Sequence, residues 1–321
     1  MKHLFIRRIK QGFVTKKVSL SLNTFQMSLF KQIKAYLELG KWPVTTAVSL
    51  TTVAGYVLYS GKITWQLIWP VTGIFLLACG SSAINQIQEA EYDIKMNRTR
   101  NRPLPSGRIS VRAAWIVALI YTISGSLIIG YGTSPAVLVL GWFSFIWYNL
   151  VYTYLKRITV YAVIPGSLIG SLPPLIGWVS AGGPLLNVHV LIIILFFFSW
   201  QIPHFWLLVI RYGEEYTEAG LPSLNSIRST GQIIRMIYLW ILITVSLSVF
   251  MPFTGLIHST ISKAGIWLTA GAILFTFTQL FVNSREKFYP EYYFRRLNFY
   301  MLIAVVLIIL DRPVFLNLLS S

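Results

Sequence analysis

Asn85-Gln-Ile-Gln-Glu-Ala-Glu-Tyr-Asp-Ile-Lys-Met-Asn-Arg-Thr-Arg-Asn-Arg-Pro-Leu-Pro-Ser-Gly107 follows directly on an apolar run ending near Ile84, and no other stretch of the 321-residue chain carries so many charges. Continuing a helix past Ile84 places Asn85, Glu89 and Asp93 at i, i+4 and i+8, within an arc of about 80° on one face, with Glu91 pointing away. That face offers one amide and two carboxylates. Hard oxygen ligands of this kind suit Mg2+, which takes one or two carboxylates and keeps its other positions for water and substrate phosphate oxygens. Arg98, Arg100 and Arg102 follow at once, and guanidinium forks match phosphate oxygens in a bidentate way. A charged connector between membrane helices is ordinarily a solvated loop carrying topology charge. The helical spacing of the acids and the adjoining arginines favour instead a magnesium-diphosphate site at a membrane surface.

The rest of the chain supplies the membrane. It is 55% hydrophobic and 12% charged, with mean hydropathy +0.65, where soluble domains carry roughly 25% charged residues. An all-α polytopic membrane protein is expected. Nine apolar runs are long enough to cross about 30 Å of hydrocarbon at 1.5 Å per residue; they lie near 43–60, 66–85, 112–131, 134–153, 159–181, 186–209, 232–253, 263–283 and 297–317. Alternating sides then puts 24 of the 27 Lys and Arg, all but Lys62, Lys263 and Arg312, on one side. By the positive-inside rule that side is cytoplasmic, with the N-terminus inside and the C-terminus outside. Nine of the ten acids share it, so an inner-face active site is expected. The net charge of +17 is therefore topology charge facing a lipid bilayer, and no nucleic acid partner is implied.

Other classes fall away. The single cysteine, Cys79, excludes disulfide frameworks and thiolate clusters. Four scattered histidines show no zinc spacing. Residues 1–41 hold nine Lys and Arg against Glu38 alone; no apolar core follows the early charges, so a secretory signal is not expected. A basic cytoplasmic tail and a mitochondrial transit peptide share this composition, and the tail also satisfies the charge rule. The expected division is a basic N-terminal segment, 1–41, and a transmembrane domain, 42–321.

Two further clusters lie at the inner ends of other runs. Gln201, His204, Arg211 and Glu215 fall within about 80° of one helical face, and polar groups at membrane depth usually look into a bundle. Glu214 and Glu218 form a second i, i+4 carboxylate pair, equally readable as solvated loop acids. Pro203 frees a backbone carbonyl in the same run. Asn149, Tyr152 and Lys156 share a face by spacing, with Arg157 adjacent; they fit a phosphate contact or an ordinary interfacial anchor. Phe196, Phe197, Phe198, Trp200, Phe205 and Trp206 are candidates for an apolar pocket wall, though most aromatics in such a chain face lipid or core.

The motifs Asn85-Gln-x-x-Glu-x-x-x-Asp93, Met96-Asn-Arg-Thr-x-Asn-Arg-Pro-Leu104, Tyr152-x-x-x-Lys156-Arg157, Pro173-Pro-x-x-Gly-Trp178, Trp200-Gln-x-Pro-His-Phe205 and Glu215-Tyr-x-x-Ala-Gly-x-Pro222 together resemble the UbiA-type intramembrane prenyltransferases. They are most similar to the protohaem IX farnesyltransferase (haem O synthase) branch. The resemblance implies a nine-helix UbiA-like bundle with a cavity facing the cytoplasm. It implies Mg2+-dependent transfer of farnesyl from farnesyl diphosphate to a vinyl group of haem b, giving haem O for terminal oxidases. The basic tail, read as cytoplasmic, favours a bacterial inner membrane over a mitochondrial one, and a haem A synthase or oxidase-assembly protein is a candidate partner. On the basis of the resemblance Asn85, Glu89, Asp93, Tyr152 and Lys156 are expected to be catalytic, and Arg98, Arg102, Lys156, Arg157 and Arg211 to bind diphosphate. His204, Gln201 and Glu215 are assigned to the acceptor, and Asn85, Glu89, Asp93 and Glu215 to metal. The family's second acidic motif becomes Glu214, Glu215 and Glu218 here. Asp93→Asn is expected to leave the fold intact, as the loss of a surface charge. A quinone precursor or another tetrapyrrole as acceptor, or a transporter without chemistry, are the other readings; the charges gather at one face rather than crossing the bilayer, which weighs against transport.

Overall fold

A computed structural model describes residues 32–282 and 288–311. Every regular element among them is helical. A short helix, α1 (32–39), ends in a tight turn at Gly40 and Lys41. Lys41 sits in the left-handed region, at φ 51° and ψ 46°, which costs a residue other than glycine about 1–2 kcal/mol. That turn reverses the chain into α2 (Trp42–Ser60), where Pro43 suits the first helical turn because its missing N–H would go unbonded there anyway.

The following helices are α3 (Ile68–Asp93), α4 (Val111–Gly132), α5 (Pro135–Ile146), α6 (Thr153–Leu155), α7 (Val163–Gly166), α8 (Leu168–Ser180), α9 (Val188–Glu218), α10 (Thr230–Phe250), α11 (Thr260–Val282) and α12 (Pro290–Leu310). Their ends follow capping chemistry. Ser110 accepts from the Ala113 amide to start α4, and Ser229 with Gln232 forms a reciprocal capping box on α10. Among the described residues eight segments are long and apolar enough to cross a membrane. The first expected span is present as α2, 19 residues long and interrupted by four threonines and two serines, and is not among those eight.

Several boundaries differ from expectation. The second run does not stop at 85: the helix continues to Asp93, carrying its polar turns with it. The sixth extends past 209 to Glu218, with a break at Tyr212 (φ −116°, ψ 17°). The last begins at Pro290 rather than near 297, because proline favours a helix start and Arg295 and Arg296 lie exposed on its early turns. The fifth run is divided into α7 and α8 at Ser167, followed by Pro173 and Pro174, which withhold amide hydrogens from the helix ladder.

Packing closes these helices around an interior. α3 lies on α4, α2 on α8 and α9 on α10, while α12 touches both α9 and α2. The α2–α8 crossing is backbone against backbone: a Cβ on Gly55 would sit 1.9 Å from the Pro174 carbonyl oxygen, and one on Gly177 1.9 Å from that of Thr52. Small residues permit this approach. Outward, α4 exposes Ile116, Leu119, Ile120, Ile123 and Leu127, a stripe far too apolar for water and suited to lipid. A small separate core of Leu39, Ala83, Leu104, Ile109, Ala114 and Ala118 anchors the connector between α3 and α4. The charged stretch is therefore a pinned structure.

Candidate active site

Helix α3 delivers the acids. Asn85, Glu89 and Asp93 are all buried and line one cavity of about 550 Å3, whereas Glu91 is exposed. Asn85 is fully engaged: its Nδ2 donates to Glu89 Oε1 at 2.8 Å and Thr153 Oγ1 at 3.1 Å, and its Oδ1 accepts from Lys41 Nζ at 2.9 Å and Tyr148 OH at 3.1 Å. That exhausts an amide's two donors and two lone pairs. Lys156 pairs with Glu89, and Arg102 with Asp93 Oδ2 at 2.6 Å. Asp93 Oδ1 is buried with no partner among the described residues. Asp93 is thus no surface charge; its carboxylate is 1% exposed, because the helix runs on beneath a folded connector.

Cations surround this stripe. Lys41, Arg98, Arg102 and Lys156 all line the cavity. Burial, then the charge of Arg102, pushes the Lys41 ammonium down to about 7, against the pull of Glu89 and Asp93. The connector is held in register by Thr99, whose hydroxyl donates to the Asp93 carbonyl at 2.9 Å. It also meets α9: the Arg98 amide donates to Glu215 Oε2 at 3.1 Å, and its guanidinium lies 5.0 Å from the Tyr212 ring centre. Gln86 ties α3 to α1 by donating to the Glu38 and Leu39 carbonyls at the end of α1.

Other expected residues lie elsewhere. Arg157 is directed away from the cavity, donating to the Gln88 carbonyl at 2.7 Å and packing between Tyr92 and Tyr154. Arg211 is exposed and pairs with Glu291 at 3.0 Å. Glu215 supports Arg98 from outside the cavity lining, and Glu214 and Glu218 are exposed. Among the described residues no three of His, Cys, Asp and Glu converge as a metal set. Asn149 does not share a face with Tyr152 and Lys156. Residues 147–152 form a π turn, whose wider winding breaks the 3.6-residue period; Asn149 instead donates to Ser81 at 2.7 Å and the Phe145 carbonyl.

The wall also carries aromatic rings. Tyr148, Tyr152, Phe205 and Phe294 line it, with Tyr148 stacked 5.8 Å from Tyr152, which is 6.4 Å from Phe205. Of the six aromatics expected as a pocket wall only Phe205 is there. Phe196, Phe197 and Trp206 are core, because the face they occupy packs inside the bundle, and Phe198 meets Trp240. Gln201 and His204 both line the cavity. Glycines make the room: a Cβ on Gly166 would fall 2.5 Å from the Tyr152 ring, and one on Gly170 1.4 Å from Gln201 Nε2.

The model for the UbiA prenyltransferase family matches residues 48–308. The chain belongs to that family. This UbiA chain is 30% identical over 282 residues to the protoheme IX farnesyltransferase of Oleidesulfovibrio alaskensis, covering 88% of this chain and 98% of that one. It is 36% identical over 231 residues to the enzyme of the same name from Thioalkalivibrio sulfidiphilus, covering 70% and 76%. A UbiA homolog from Archaeoglobus fulgidus, solved bound to GPP and Mg2+, superposes with a TM-score of 0.65 at 17% identity, covering 85% of this chain and 96% of that one. The all-helical bundle is thus the UbiA fold. Sequence reading missed Lys41, Tyr148, Thr153 and Phe294. Tyr148 lay one turn before Tyr152 and was readable by spacing. Lys41 was not, since the left-handed residue of its turn is the lysine itself and not Gly40 before it.

Proposed function

We propose that this UbiA prenyltransferase transfers a farnesyl group from farnesyl diphosphate to a vinyl group of protohaem IX (haem b), making haem O. One observation carries the reading: a single cavity is lined by four cations, two buried carboxylates, several aromatic rings and a histidine. The names of the relatives support the acceptor.

In the reaction the allylic C–O bond breaks with its electron pair leaving on diphosphate, and the farnesyl cation takes the vinyl π electrons. Water captures the resulting cation and loses a proton. Lys41, Arg98, Arg102 and Lys156 face the cavity where the leaving group's charge would develop, and preorganised charge of this kind is usually the largest catalytic effect. The rings of Tyr148, Tyr152 and Phe205 exclude water and offer the cation about 0.5–2 kcal/mol each. Glu89 and Asp93 fit a hard divalent cation such as Mg2+, and Asn85 would join them where its Oδ1 gives up Lys41 or Tyr148: all three are oxygen donors on one stripe, and Asp93 Oδ1 is buried without a partner among the described residues. When bound, that ion would neutralise part of the diphosphate charge. Glu215 would act on it only through Arg98.

We further propose the topology read from the charges, with N-terminus inside, C-terminus outside and α2 as a ninth span, in a bacterial inner membrane. Residues 1–41 would form the basic segment and 42–321 the catalytic domain, beside a haem A synthase or oxidase-assembly partner. Expression in cells lacking their own haem O synthase, followed by mass spectrometry of extracted haems, tests the function. A haem with the mass of the hydroxyethylfarnesyl product is expected; unaltered haem b with prenylated quinone precursor would overturn the acceptor.

A further inference from the structure

We propose that Asn298, on α12, is a positioning residue for His204: by accepting the ring's Nδ1 hydrogen it leaves Nε2 as a bare lone pair on a ring that lines the cavity, where it takes the iron of the porphyrin. The inference rests on the acceptor reading above.

Asn298 Oδ1 lies 2.8 Å from His204 Nδ1. An amide oxygen only accepts, so Nδ1 carries the hydrogen and Nε2 is the basic nitrogen of a neutral ring. Nε2 has no hydrogen-bond partner among the described residues, while His204 lines the cavity. The ring is also clamped. Trp200 lies 4.7 Å and Phe294 4.8 Å from its centre, both tilted by 35°, and Phe205 meets it edge-on at 5.2 Å. Trp200 is itself fixed, its Nε1 donating to the Leu297 carbonyl at 3.2 Å. Phe294, Leu297 and Asn298 occupy one turn of α12, so a single helical turn builds the frame.

A histidine serving only the fold gives a contrast within the same chain. His189 uses its Nε2 on the Thr254 carbonyl at 3.0 Å, tying α9 to the turn that follows α10. His204 has the opposite arrangement, with Nδ1 held and Nε2 open. Metal-binding histidines are held in this way, and loss of the outer partner typically weakens metal binding about 10–100-fold. An amide keeps the ring neutral. A carboxylate in its place would strengthen the pull on Nδ1–H and make Nε2 more electron-rich.

The test is a titration of the purified full-length protein in detergent with ferric protohaem, read by Soret absorbance and electron paramagnetic resonance. A histidine-ligated spectrum is expected for the wild type. Asn298→Leu should weaken haem binding at least about 10-fold and lose that spectrum, while Asn298→Asp should keep the ligation and move the iron potential negative. Added imidazole should restore a nitrogen-ligated spectrum to His204→Ala. With iron-free protoporphyrin IX the wild type and Asn298→Leu should bind alike, which a merely structural role would not give. Unchanged ferric spectra in both His204→Ala and Asn298→Leu, with haem O still formed by the wild type, would overturn this proposal and leave the acceptor reading standing. Failure of the wild type both to bind protohaem and to make haem O would overturn the two together.

Discussion

The Arg102–Asp93 pair answers differently to the loss of either partner. At 2.6 Å the gross Coulomb attraction is about 6 kcal/mol for an effective dielectric constant of about 20. Desolvation offsets much of it, and what remains depends on which charge is stranded. The Asp93 carboxylate is 1% exposed and already has one oxygen without a partner among the described residues, whereas the Arg102 side chain is 22% exposed and opens on the cavity. Arg102→Leu therefore strands a buried carboxylate and should cost about 3–5 kcal/mol of stability. Asp93→Asn leaves a wetter guanidinium with an amide oxygen still in reach and should cost about 1–2 kcal/mol. The double variant should recover to near the Asp93→Asn level. Thermal unfolding in detergent micelles reads this order, while farnesyl transfer at saturating substrate should fall at least about 100-fold in all three variants. Equal destabilisation by the two single changes would refute the burial argument; wild-type turnover in folded Asp93→Asn would refute the role of the carboxylate.

Lys41 supplies a pH dependence. Its folded value near 7 lies below the unfolded one near 10.4, so between these values the unfolded chain binds more protons and stability should rise with pH. Lys41→Met should flatten that rise, and an unchanged slope would show that Lys41 is hydrated. Gly170→Ala places a methyl group on the Gln201 amide and should cost about 1–3 kcal/mol in unfolding experiments as α8 or Gln201 shifts; wild-type stability would mean the wall is soft. Excess chelator should abolish transfer and added Mg2+ restore it, with the unfolding temperature nearly constant. Turnover that persists in chelator would remove the metal from the mechanism.

The acid stripe was legible because Asn85, Glu89 and Asp93 obey helical period, and α3 keeps that period to its last turn. The same reasoning failed at Asn149, where a π turn replaces the period. It failed at Arg157 and Arg211 for another reason. Spacing gives the face of a helix but not its rotation in the bundle, so Arg157 turned to Gln88 and Arg211 to Glu291. Lys41 and Asn298 reach the site from segments distant in sequence, through a left-handed turn and a closing helix contact. Hydropathy located the spans but gave α12 a late start, since it reads exposed Arg295 and Arg296 as loop.

The ion pairs lining the cavity would allow an exchange of counter-ions over a reaction cycle. Lys156 and Arg102 hold Glu89 and Asp93, and Lys41 holds Asn85. If these oxygens turn to a divalent ion, the three side chains are released together, beside an arriving anion that needs them. Cations and carboxylates then separate without either being left bare in a low-dielectric interior, where an unpaired charge costs several kcal/mol. Metal and diphosphate would accordingly bind with positive cooperativity, each lowering the cost of admitting the other.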